Sequence, residues 1–162
     1  MGRRGVGGIC CRQAIYRGGG SIMLRTILAV ILGVVVGSIV NMGLIILGPT
    51  VISAPAGVDV SNAESIAASI HLFQPKHFVF PFLAHALGTF VGALVAFIAA
   101  VRNRQAITYA LGVIFLAGGI SASFMIPAPT WFIVLDLLVA YIPMSWLALQ
   151  AGRRLILQGE DR

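Results

Sequence analysis

Four long apolar runs separated by short polar breaks set the pattern of this chain. The first extends from about Leu24 to Leu47 with no charge after Arg25, longer than the roughly 20 residues a helix needs to cross a bilayer. The others run over Phe78–Val101, Ala106–Ile126 and Trp131–Gln150. Within the second, small residues recur four apart at Ala84, Gly88, Gly92, Ala96 and Ala100. Such a ladder lets two helix backbones approach closely, and close packing is the main source of helix association in lipid. The first run carries a matching set, Ala29, Gly33 and Gly37, then Asn41. These two ridges are predicted to meet. The alternative is that the ladder mediates homodimerisation, because G-x-x-x-G patterns fit both purposes.

The breaks define the connectivity. Gly48-Pro49 is expected to end the first helix, and residues 53–57, SAPAG, are turn material. Ser61 stands three before Glu64, the spacing of a capping box. Beyond it Ala63, Ile66, Ala67, Ile70 and Phe73 recur at helical spacing opposite Asn62, Ser65 and Ser69. A short amphipathic helix over 62–73, lying in the membrane interface, follows from that pattern. The connections at 102–105 and 127–130 are so short that helices two, three and four must be antiparallel neighbours. Gly118-Gly119 predicts a bend or a close approach, and Pro143 a kink in the fourth helix. Trp131 suits an interface anchor. The expected fold is an all-α membrane protein, a four-transmembrane-helix antiparallel bundle with a short amphipathic extracytoplasmic helix. Residues 23–151 form its membrane domain, 1–22 a basic extension expected to lack structure, and 152–162 a cytoplasmic tail.

Composition supports lipid as the solvent. Of the 162 residues 59% are hydrophobic and 10% charged, with a mean hydropathy of +0.98, against about 25% charged in soluble domains. The net charge of +6 raises the question of nucleic acid, but the arginines sit at the ends of apolar runs, where they set topology. Placing both termini and the 102–105 turn in the cytoplasm puts ten of the eleven basic residues inside and leaves only Lys76 outside. The chain is thus expected to be a multi-pass membrane protein with both termini in the cytoplasm, with the bilayer, a homo-oligomer or a larger membrane complex as partners and no nucleic acid. Cys10 and Cys11 are adjacent, which strains a mutual disulfide.

Candidate chemistry is confined to a few polar residues inside the spans. At about 1.5 Å per residue, His85 lies roughly 10 Å from the outer end of its span, Asn41 and Asp136 roughly 8–9 Å, and Ser121 and Ser123 about 5–8 Å. Each helix contributes to this level. An ionisable residue in a span is expensive and normally faces the interior, paired, which predicts a His85–Asp136 pair flanked by Asn41 and Ser121 or Ser123. As glue between helices, each such bond is worth about 0.6–2 kcal/mol. As a pathway, the same residues would carry protons or a small ligand. His71, His77 and His85 offer imidazoles without a recognised metal-ligand spacing. No G-x-S-x-G, H-E-x-x-H, C-x-x-C-H, phosphate loop or dinucleotide fingerprint occurs, so no catalytic residue and no cofactor is assigned.

The stretches PAGVDVSNAES, HLFQPKHFVFPFLAHALGTFVGALVA and PAPTWFIVLDLLVAYIPM together resemble a family of small bacterial four-span inner-membrane proteins with no assigned activity. The likeness covers Met23 to Gln150 and implies a natural start at Met23; it contributes no catalytic residues. The first reading is therefore a non-enzymatic structural, accessory or self-associating membrane subunit. The second is a small transporter or channel component using the polar cluster, and the third a membrane-embedded enzyme or metal-binding protein. A water-accessible cavity reaching His85 from outside would favour the second, and a dry, fully satisfied cluster the first.

Overall fold

A computed structural model describes residues 7–160, all helix and connecting loop with no strand among them. Helix α1 spans Gly7–Val51 and α2 Ala63–Ser69, followed by 3₁₀ turns at Ile70–Leu72 and Pro75–Phe78. Then come α3 (Val79–Ala99), α4 (Arg104–Met125), α5 (Thr130–Val139) and α6 (Ile142–Glu160). Four stretches are long and apolar enough to cross a membrane: Ile22–Val51, Pro75–Ala99, Arg104–Met125 and Thr130–Gln158. The protein is a multi-pass, all-α membrane bundle.

Helix α3 is the axis of that bundle and packs against α1, α4 and α6. Its small-residue ridge meets α1 with almost nothing between the two backbones. A methyl group on Gly33 would lie 2.6 Å from the Gly92 carbonyl oxygen, and one on Gly37 2.6 Å from that of Gly88. The reciprocal positions are as tight, with Gly92 against Gly33 and Gly88 against Gly37 and the Asn41 Cβ. Ala29, Ala84, Ala96 and Ala100 are buried along the same line. The ladder thus meets α1 of its own chain.

Towards the Arg104 end the core closes around Ala93, Ala96, Ala100, Ile107, Leu111 and Ala148. Gly152 of α6 lies against the Phe97 ring, and Gly112 of α4 admits Ser145. The Arg104 guanidinium stacks over Phe97 at 5.6 Å and donates from Nε to the Ala100 carbonyl at 2.8 Å, while Arg153 reaches Gln105. Asn103 makes the turn with a left-handed backbone, φ 52°, a conformation asparagine tolerates better than most residues.

Several elements differ from expectation. Helix α1 does not stop at Gly48-Pro49 but runs through Pro49 to Val51, with Ile52 N–H still bonded to the Gly48 carbonyl at 2.8 Å. Gly48 packs against Phe80, and that contact holds the last turn in place. At the other end the α1 backbone is helical from Gly7, where an extension without structure was expected; extending an existing helix adds a hydrogen bond for each residue fixed. Residues 1–6 lie outside the described ones. The expected tail is likewise helical as far as Glu160, anchored by Gly152 on Phe97. Ser61 and Glu64 do not form a capping box. Asn62 caps α2 instead, its Oδ1 accepting from the amides of Glu64 and Ser65 at 2.8 and 3.3 Å. Ser61 turns back to Asp59, donating from both hydroxyl and amide, which holds the Asp59 carboxyl below the usual carboxylate range.

The fourth span is broken rather than kinked. Helix α5 ends at Val139, Ala140 and Tyr141 form a turn, and α6 begins at Ile142. Pro143 falls in the first turn of α6, where a missing N–H is tolerated, and its ring clashes with a continuing helix behind it. The discontinuity therefore sits just before the proline.

Candidate functional site

At the end of the bundle that carries α2, the packing opens into a cavity of about 320 Å³. Its walls come from the last turns of α1 and α4, the first turns of α3 and α5, and the loop that holds α2. Ile45, Ile52, Ile66, Ile70, Ile126 and Leu137 make most of it aliphatic, and Phe73, Phe78, Phe80 and Phe132 supply aromatic faces. Aromatic packing of Phe78 on Phe132, centroids 4.8 Å apart, and of Trp131 on Phe78 at 5.6 Å braces one side. Helix α2 buries no residue completely, so its Ile66 contributes to the cavity wall, not to a closed core.

The polar part of the cavity is built from α3 and α5. Both are entering the bundle side by side, which brings His85, seven residues into α3, beside Asp136, seven into α5. Nδ1 of His85 lies 2.9 and 2.8 Å from the two carboxylate oxygens of Asp136. A carboxylate only accepts, so Nδ1 carries the proton and donates. The ring's other nitrogen, Nε2, has no hydrogen-bond partner among the described residues. Tyr141, in the break of the fourth span, donates its hydroxyl to Asp136 Oδ2 at 2.9 Å and stacks beside His85 with centroids 5.8 Å apart. Asp136 is 4% exposed, whereas the His85 side chain retains 24%. The carboxylate is held; the imidazole faces open volume.

Tyr141 reaches this position because Gly119 of α4 leaves room for it: any side chain at Gly119 would collide with the Tyr141 hydroxyl. Gly118 beside it faces open space. Of the Gly118-Gly119 pair, one glycine therefore makes the close approach and the other does not.

The remaining residues of the expected cluster stand apart from this pair. Ser121 donates to the Ala117 carbonyl and Ser123 to that of Ile120, both on their own helix; hydroxyls one helical turn from a carbonyl commonly satisfy themselves this way. Ser123 still lines the cavity. Asn41 packs through its Cβ and backbone on Gly88 and belongs to the α1–α3 seam. Sequence reasoning missed Tyr141. Its signal is a tyrosine two residues before a proline within an apolar run, five residues after an aspartate.

His77 also lines the cavity, but its Nδ1 is engaged as the acceptor of the Gln74 amide at 2.8 Å. Among the described residues no group of three or more His, Cys, Asp or Glu side chains is placed to hold a metal ion. Among the described residues no serine or cysteine hydrogen-bonds His85 as a nucleophile would. What the arrangement offers is an apolar chamber with one oriented imidazole at its base. Comparisons with family models, curated proteins and solved structures find no match.

Proposed function

We propose that this membrane protein binds a small, largely apolar molecule in the α2-end cavity and acts as a carrier for it, or as the ligand-binding part of one. The observation that carries this reading is the cavity itself, which ends on the oriented His85–Asp136 pair. Polar groups that serve only as glue between helices need no open space beside them. Here the pair borders about 320 Å³ of space, within the roughly 300–1,000 Å³ of ligand pockets. An ionisable residue on a cavity inside a membrane bundle is by default a substrate or proton position. With the arginine-rich end in the cytoplasm, the cavity opens on the outer side of the inner membrane, and the carrier would take up or release its cargo there.

The reading is tested with a fluorinated probe set, 4-fluorophenethylamine, 4-fluorophenethyl alcohol and 3-(4-fluorophenyl)propanoate, added to the full chain in lipid nanodiscs. Fluorine NMR separates a saturable protein-bound line from probe dissolved in lipid. At least one probe is expected to give such a line, and Ala122→Phe, which fills the cavity from α4, to abolish it. No saturable line from any of the three would end the proposal, as would a bound line that survives Ala122→Phe.

A further inference from the structure

The charges around the cavity are one-sided. With Asp136 ionised and His85 neutral, the pair carries one negative charge, and nothing in the cavity wall balances it. No lysine or arginine lines the space. The titratable groups that line the cavity with His85 are Asp136 of α5 and His77, whose Nδ1 accepts the Gln74 amide, and Tyr141 of the break bonds Asp136; α1, α2 and α4 supply none to the lining. A lone negative charge in surroundings of low dielectric is costly, so the site draws either a proton or another cation.

The hydrogen-bonding geometry says where that cation sits. Nδ1 of His85 is committed to Asp136, and Tyr141 takes a further lone pair of the carboxylate. Nε2 of His85 is the ring acceptor of the network with no hydrogen-bond partner among the described residues. A proton there makes an imidazolium–carboxylate pair of zero net charge. An ammonium N–H donated to the same nitrogen gives the same neutrality. Phe73, Phe78, Phe80 and Phe132 line the same cavity, and aromatic rings attract cations through their quadrupoles as well as accommodating apolar substituents.

We infer that the cavity selects a lipid-soluble monocation, one ammonium group on an aromatic or aliphatic body, and that this cation and a single proton compete for Nε2 of His85. The inference rests on the binding reading above and specifies its ligand. One site that holds either H⁺ or the cation also couples the two: loading the amine releases a proton, and protonation releases the amine.

The same three probes decide it, because they share a body and differ in their head group. At pH 8 the amine is expected to bind the full chain in nanodiscs at least tenfold more tightly than the alcohol, with the carboxylate weakest. Acidification to pH 5 should weaken the amine, approaching tenfold per pH unit once the ring is protonated, and leave the alcohol nearly unchanged. Asp136→Asn should bring amine and alcohol to equal affinity. His85→Gln, which keeps a hydrogen-bonding head group without a titration, should abolish the pH dependence. Equal affinity of amine and alcohol in the unaltered protein, tighter binding of the carboxylate, or an amine affinity independent of pH would each overturn the inference while leaving a binding cavity. Absence of binding by all three overturns the cavity reading itself.

Discussion

Helix α3 passes through two environments that differ in every respect relevant to packing. At Gly88 and Gly92 it meets α1 backbone to backbone with no room for a Cβ, and Ala96 is buried on the same ridge. From Phe80 to His85 it walls a cavity with large side chains and one ionisable ring. In lipid no hydrophobic force drives helices together, and stability depends on close dispersion contacts. The seam supplies these contacts, and so the opposite end is free to remain open. The comparison teaches that hydrophobicity, nearly uniform along α3, does not distinguish the two regions. Side-chain size does.

The largest expected effect strikes the seam. Gly92→Ala places a methyl group against the Gly33 carbonyl and the Gly37 Cα, both backbone atoms that cannot move without displacing a helix. Overpacking of this kind costs about 1–3 kcal/mol, measurable by unfolding in mixed detergent. Gly43→Ala and Gly118→Ala, both facing open space, should be neutral or gain up to about 1 kcal/mol. Equal losses at Gly92 and Gly43 would erase the distinction between seam and surface.

A smaller effect is expected at the cavity. A double-mutant cycle on His85→Gln and Asp136→Asn should give a coupling of about 0.6–1.7 kcal/mol, read in the same unfolding assay. Independent effects of the two substitutions would show that the pair contributes no contact energy. The smallest global effect is expected at the cavity's cover. Asn62→Ala removes the α2 cap, worth about 0.5–2 kcal/mol to the helix; because α2 buries nothing completely, the loss should appear as faster amide exchange in 63–69 with seam amides unchanged.

Much of this contrast is legible in the sequence, for reasons that differ by region. The spans and the Ala29, Gly33, Gly37 ridge could be read because helical periodicity and residue size determine which faces can touch. That His85 and Asp136 come level could be expected from counting residues, since a helix rises by a constant step. The same count brings Ser121 and Ser123 near that level, but it does not fix rotation about the helix axis, and their hydroxyls bond their own backbone. Tyr141 was hidden because its role depends on the break ahead of Pro143 and on the space left by Gly119. Neither is local to the tyrosine. The choice of Asn62 over Ser61 as cap turned on Asp59, which engages the serine first. The cavity has no sequence signal of its own, since a volume is what several elements leave unfilled.

The break at Ala140-Tyr141 has an evolutionary consequence. Helix α5 belongs to the chamber and α6 to the core around Ala148, so a span that crosses the membrane once is partitioned into two parts under separate constraint. Substitutions in α5 can retune what the chamber accepts while α6 continues to hold the fold through Ser145 and Gly152. If the chamber binds a ligand as proposed, new specificities are open at little risk to assembly, and variation among relatives should concentrate on the α2 side of the break.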